Sequence, residues 1–169
     1  MKLFNRLALI ICAGIALFSC SSKEEQFIGT WVAESEEEVM GLTFLMQKEA
    51  LTLNEDNSFS QSFTYFNDES QYDTLAISSI NGYWELNNNC LEMKYDTESI
   101  VIKCDDEDIK DVFYDNLFGN VSFANDELEK AHNENSQYGI QNAAVKDSTL
   151  ISKENIEDES GEVIYTKVN

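Results

Sequence analysis

The stretch ALTLNEDNSFSQSFTYF, residues 50–66, alternates apolar and polar side chains on both sides of a polar break. Leu51 and Leu53 share one face. The chain then turns through Asn54 to Ser58, and Phe59, Phe63 and Tyr65 return on one face against Ser60, Ser62 and Thr64 on the other. Successive side chains of a strand point to opposite faces, so this pattern specifies a β-hairpin with a wet face and a dry one. GYWELNNNCLEMKY, residues 82–95, repeats the device: Trp84 and Leu86 turn through asparagines to Leu91, Met93 and Tyr95.

Other segments extend the β pattern. FIGTWVAE, residues 27–34, is strand-like and contains a glycine. SEEEVMGLTFLMQKEA, residues 35–50, reads either as a helix, capped by Ser35 with Glu38, or as a loop leading into a strand. CLEMKY-DTES-IVIKC, residues 90–104, reads as a third hairpin that pairs Tyr95 with Ile100, Met93 with Ile102 and Leu91 with Cys104. That register sets Cys90 one residue off from Cys104 and on the opposite face, whereas a three-residue loop would align the two cysteines and misalign the apolar residues. Their disulfide is left open. Residues 105 to about 136 break the β rhythm: Ile109, Val112, Phe113 and Leu117 follow helical spacing, and Asn125 is placed to cap a short helix running to His132. Strands resume near Ile140 to Val145, Thr149 to Lys153 and Glu162 to Val168, with a tight turn at Lys146-Asp147-Ser148.

The amino terminus is an address. Lys2 and Arg6 precede an apolar run from Leu7 to Phe18, followed by small residues from Ser19 to Ser22. At about 1.5 Å per residue this run makes a helix of roughly 18 Å, too short for a bilayer core of about 30 Å. Leu17-Phe18-Ser19-Cys20 resembles the lipobox of bacterial lipoproteins. The resemblance implies a signal peptide over residues 1–19, cleavage before Cys20, and acylation of Cys20, with palmitate-type chains holding the protein on a bilayer through a tether over residues 20–26. Ser21 to Glu25 is similar to the lysine-plus-acids signal that sends some Bacteroidetes lipoproteins to the outer face of the outer membrane. The expected location is the cell envelope, on an outer membrane, facing the periplasm or the exterior.

The whole chain carries a net charge of −21, and loss of residues 1–19 removes Lys2 and Arg6 but no acid. The remainder has no arginine, and its lysines are far outnumbered by 32 acids. Nucleic acid is therefore excluded as a partner, since such binding rests on Lys and Arg at phosphates. The charge suits solubility, or attraction to a cationic protein or peptide where acids cluster, as at Glu34 to Glu38 and Asp105 to Asp111. No nucleophile motif of the G-x-S-x-G kind and no zinc-type Cys/His spacing is present. CDDEDIKD, residues 104–111, lacks the glycine and terminal glutamate of a calcium loop and reads as a helix start. No enzyme activity, cofactor or metal is expected, and His132, the only histidine, is expected to face solvent.

In order along the chain, Gly29-Thr30-Trp31, LTLNEDNSFS, NGYWELNNNCLEM and GEVIYTKVN resemble the lipocalin-like domains of Bacteroidetes lipoproteins. The resemblance covers about residues 27–104 and 138–169. It implies an all-β fold over residues 27–169: an antiparallel up-and-down lipocalin-like β-barrel with a short helical insertion, Trp31 plugging one end. Small barrels either fill their interior or leave a cup for a ligand. Phe59, Phe63, Tyr65, Trp84 and Met93 are the candidates to line such a cup for a small apolar ligand, the alternative for each being core packing. Gln61, polar but in phase with them, either orients a ligand or marks a bulge.

Overall fold

A computed structural model describes residues 23–37, 45–66, 73–153 and 162–168 of the chain. The signal segment, Cys20, Glu38 and Gly161 lie outside the described residues. Among the described residues, eight strands form one sheet: β1 (Gly29–Glu37), β2 (Leu45–Leu53), β3 (Ser58–Phe66), β4 (Thr74–Asn87), β5 (Cys90–Lys103), β6 (Gln141–Lys146), β7 (Thr149–Lys153) and β8 (Glu162–Val168). One helix, α1 (Glu107–Asn133), connects β5 to β6. The sheet order is β5-β4-β3-β2-β1-β8-β7-β6, and every neighbouring pair is antiparallel.

The sheet curls into a barrel-like shape whose edges, β5 and β6, touch at one end. There Leu91 and Ile140 exchange backbone hydrogen bonds of 3.0 Å in both directions, and the Ala143 N–H donates to the Asn89 carbonyl at 2.9 Å. Gly139, with φ +149°, allows this approach, because a Cβ there would meet the Leu91 carbonyl oxygen.

The hairpins expected at residues 50–66 and 82–95 both form. Leu53 faces Phe59 and Leu51 faces Gln61 across β2–β3, while Trp84 faces Met93 and Leu86 faces Leu91 across β4–β5. Their turns use asparagine in the left-handed region, at Asn57 (φ 63°) and at Asn88 and Asn89 (φ 50° and 67°). Such a turn matches the right-handed twist of the strands it joins. Residues 35–37 continue β1 as a strand, Ser35 pairing with Gln47 in β2, so the helical reading there is not adopted by the described part.

Residues 90–104 depart from the expected hairpin. β5 is one continuous strand of 14 residues paired with β4 along its length, and its register slips between Ser79 and Asn81. The turn-forming Asp96 to Ser99 makes a bulge instead of a reversal. The Ser99 hydroxyl accepts from the Asn81 N–H at 2.8 Å, and its own proton goes to the Asp96 carbonyl at 2.7 Å. Cys90 and Cys104 therefore lie at opposite ends of a strand whose partners on β4, Asn87 and Ile77, are ten residues apart, roughly 33 Å at about 3.3 Å per residue. Both are free thiols.

The insertion also differs from expectation: it is a single helix of 27 residues, not a short one. Asp106 caps it, accepting from the N–H groups of Asp108 and Ile109 at 3.0 and 3.1 Å. Asn125 lies inside the helix rather than at its start. Its side-chain amide takes over a strand's role, accepting from the Tyr95 N–H and donating to the Tyr95 carbonyl, both at 2.9 Å. That satisfies both backbone groups of Tyr95 at the edge of β5. Among the described residues, no helix is long and apolar enough to cross a membrane.

The interior holds two apolar clusters. At the end where the sheet edges meet, Phe27, Trp31, Leu51, Leu53, Phe59, Trp84, Leu91 and Leu150 pack together with Met93 and Tyr165. Trp31 is wholly buried, its indole N–H donating to the Phe27 carbonyl at 2.7 Å, with Lys167 Nζ 5.0 Å from the ring centroid. Towards the other end, the α1 stripe Phe113, Leu117 and Val121, four residues apart, packs on Tyr65, Ala76, Ile80 and Ile102.

Candidate functional site

Between these clusters the inward faces turn polar. On β2 the inward residues run Gln47, Glu49, Leu51, Leu53, so the first half of the row is hydrophilic although all four are buried. The Glu49 carboxylate accepts from Gln61 Nε2 at 2.5 Å and from the Tyr165 hydroxyl at 3.0 Å to each oxygen. This network joins β2, β3 and β8 inside the barrel. Among the described residues, Gln47 Oε1 and Ser78 Oγ are buried without a hydrogen-bond partner. Leaving such a group unsatisfied costs about 1–3 kcal/mol.

Next to this band lies a cavity of about 210 Å³, walled by Gln47, Gln61, Phe63, Tyr65 and Tyr95 of the sheet and roofed by α1 through Asn116, Leu117, Asn120, Val121 and Ala124. Of the residues singled out from sequence, Gln61, Phe63 and Tyr65 thus come together on one chamber. Phe59, Trp84 and Met93 do not line it and belong to the dry cluster. Phe59 meets Tyr95 edge to face, with centroids 5.3 Å apart. Gln61 pairs in regular register with Leu51 and Ile80 and marks no bulge; the β3–β4 irregularity falls between Tyr65 and Phe66.

A second recess of about 570 Å³ lies outside the sheet, between the outward face of the β4–β5 hairpin and the last turns of α1. Glu85, Glu92, Asp126 and Glu129 line it, against Lys94 and His132. Trp84 reaches its wall, its indole N–H donating to the Asn54 carbonyl at 3.2 Å. Glu92 is only 2% exposed because α1 covers it. It accepts from Asn87 Nδ2 at 3.3 Å and meets His132 Nε2 at 2.8 Å. Burial, followed by the nearby Glu92 charge, pushes the Cys90 thiol up to about 11.

His132 is half exposed, as expected from sequence; sequence reasoning missed its contact with Glu92, and missed Gln47, Glu49, Glu85 and Glu92. Some of these carried a signal. Once Leu86 is set opposite Leu91, Glu85 must stand opposite Glu92, two like charges across a strand pair. Likewise Gln47 and Glu49 share the parity of Leu51 and Leu53. His132 lies 40 residues beyond Glu92 on a different element, and no local pattern links the two.

No family model matches the chain, and no curated protein is significantly similar to it.

Proposed function

We propose that the chain is an exported, lipid-anchored binding protein of lipocalin-like type, held on the outer membrane through acylated Cys20, that takes a small, mainly apolar ligand into the chamber under α1 without chemical conversion. The lipobox-like LFSC at residues 17–20 and the ordered lipocalin-like motifs support the anchor and the class. One observation carries the ligand reading: the partnerless Gln47 Oε1 beside a chamber walled by Phe63, Tyr65, Leu117 and Val121 together with the amides of Gln61, Asn116 and Asn120. Apolar walls with a few placed polar groups are the usual make-up of a small-molecule site. The ligand that fits has an apolar body and a hydrogen-bonding head placed for the amides of Gln47, Asn116 and Asn120.

A second reading draws on the outer recess, whose four acids suit a cationic protein or peptide. Affinity there would collapse with salt, since exposed charges are screened over about 8 Å at physiological ionic strength.

1-Octanol is a suitable probe of the chamber, using the full chain in detergent micelles and ligand-observed NMR. One saturable site is expected. Val121→Trp fills the chamber and abolishes binding. Gln47→Leu weakens it about fivefold, the worth of about 1 kcal/mol for one hydrogen bond. Binding that is absent, or that survives Val121→Trp unchanged, refutes the chamber reading.

A further inference from the structure

From the outer recess we infer a metal site: Glu85, Glu92 and His132 form a three-donor site for a divalent transition-metal ion such as zinc, independent of the interior chamber. One carboxylate oxygen of each glutamate and one imidazole nitrogen all lie within 4.8 Å of one another. A zinc ion holds such donors at about 2.0–2.2 Å, which sets them roughly 3.4 Å apart, so closing the site takes about an ångström of side-chain movement. Glu85 is exposed and free to make it, while the buried Glu92 is held in place by the Asn87 amide. Orientation of a ligand by an outer hydrogen bond is the usual support of a metal site.

Three further features favour a cation here. Glu85 and Glu92 face each other directly across β4 and β5, and a cation between them relieves that repulsion. His132 is in the last turn of α1, where the helix dipole presents its negative end. The recess also gives an ion access to the donors and leaves room for a water as fourth ligand. Lys94 lines the same recess but, among the described residues, pairs with neither glutamate.

Metal binding replaces the 2.8 Å contact between His132 Nε2 and Glu92 by two bonds to one ion: Nε2, which donates its proton to the carboxylate in that contact, gives the proton up, and the neutral ring carries its proton on Nδ1. A simpler role for the pair, fastening α1 to the sheet, leaves Glu85 without a part. Glu85 is therefore the discriminating residue, and because it is exposed its replacement leaves the fold intact.

The test is a zinc chloride titration of the full chain in detergent micelles at pH 7.5, with bound zinc measured by equilibrium dialysis and the single imidazole followed by NMR. One tightly held zinc per chain is expected, with the Nε2 resonance of His132 displaced as it binds. Glu85→Gln weakens that zinc tenfold or more, whereas Glu107→Gln, at the far end of α1, leaves it unchanged and controls for diffuse binding by the 32 acids. Failure to bind one zinc per chain, an unmoved imidazole, or equal affinity in Glu85→Gln and the parent overturns the site.

Discussion

The two ends of the interior are built from different chemistry. Around Trp31 and Leu91 the sheet edges meet, the side chains are apolar, and the buried polar groups that do occur, such as the Trp31 N–H, are paired. Towards α1 the same strands turn inward Gln47, Glu49, Gln61 and Ser78, two of which keep an unpartnered oxygen, and a helix replaces the missing strand pairing. The first end is arranged for stability. The second gives up stability for a cavity and a polar lining, as ligand sites commonly do.

Mutations sharpen that contrast. The largest effect is expected at the dry end, where Trp31→Ala removes a fully buried ring and should cost about 3–5 kcal/mol in denaturant unfolding. Asn125→Ala comes next. It strips the Tyr95 N–H and carbonyl of their partner and should cost about 1–3 kcal/mol, with faster hydrogen exchange at the Tyr95 amide while the Leu91 and Ile140 amides stay protected. At the polar end the sign reverses: Ser78→Ala removes a buried hydroxyl that has no partner and should stabilise the fold by about 1 kcal/mol. A loss of stability there would place the hydroxyl in the architecture and erase the distinction between the two ends.

The smallest effect concerns the thiols. Cys90, buried and raised to about 11, should resist iodoacetamide at pH 8, while the half-buried Cys104 is alkylated first. Because the folded state holds the Cys90 proton more tightly than the unfolded chain, its contribution to stability is complete below the ordinary thiol value of 9.0 and fades as pH rises through about 11.

The hairpins were legible because period-two alternation and asparagine turns are local signals. β5 was misread for a physical reason. Asp96 to Ser99 has the chemistry of a turn, and only pairing of residues 101–103 with β4 makes it a bulge. The helix was read in two pieces because Gly119, Asn120 and Val121 are weak helix formers. Packing of Val121 with Phe113 and Leu117 on the sheet overrides that preference. Half of the chamber was visible, in Gln61, Phe63 and Tyr65. The other half comes from α1 and from Gln47, which the ambiguous stretch 35–50 obscured. Phe59, Trp84 and Met93 carry the same alternation, but the sequence holds no mark of where along a strand the interior passes from packed to open.

The chamber under α1 is tested most directly by the effect of 1-octanol on thermal unfolding of the parent chain and of Val121→Trp. A ligand that binds only the folded state raises its melting temperature with concentration. The expected result is a saturable rise in the parent and none in Val121→Trp, whereas equal shifts in both, or none in either, would contradict the chamber.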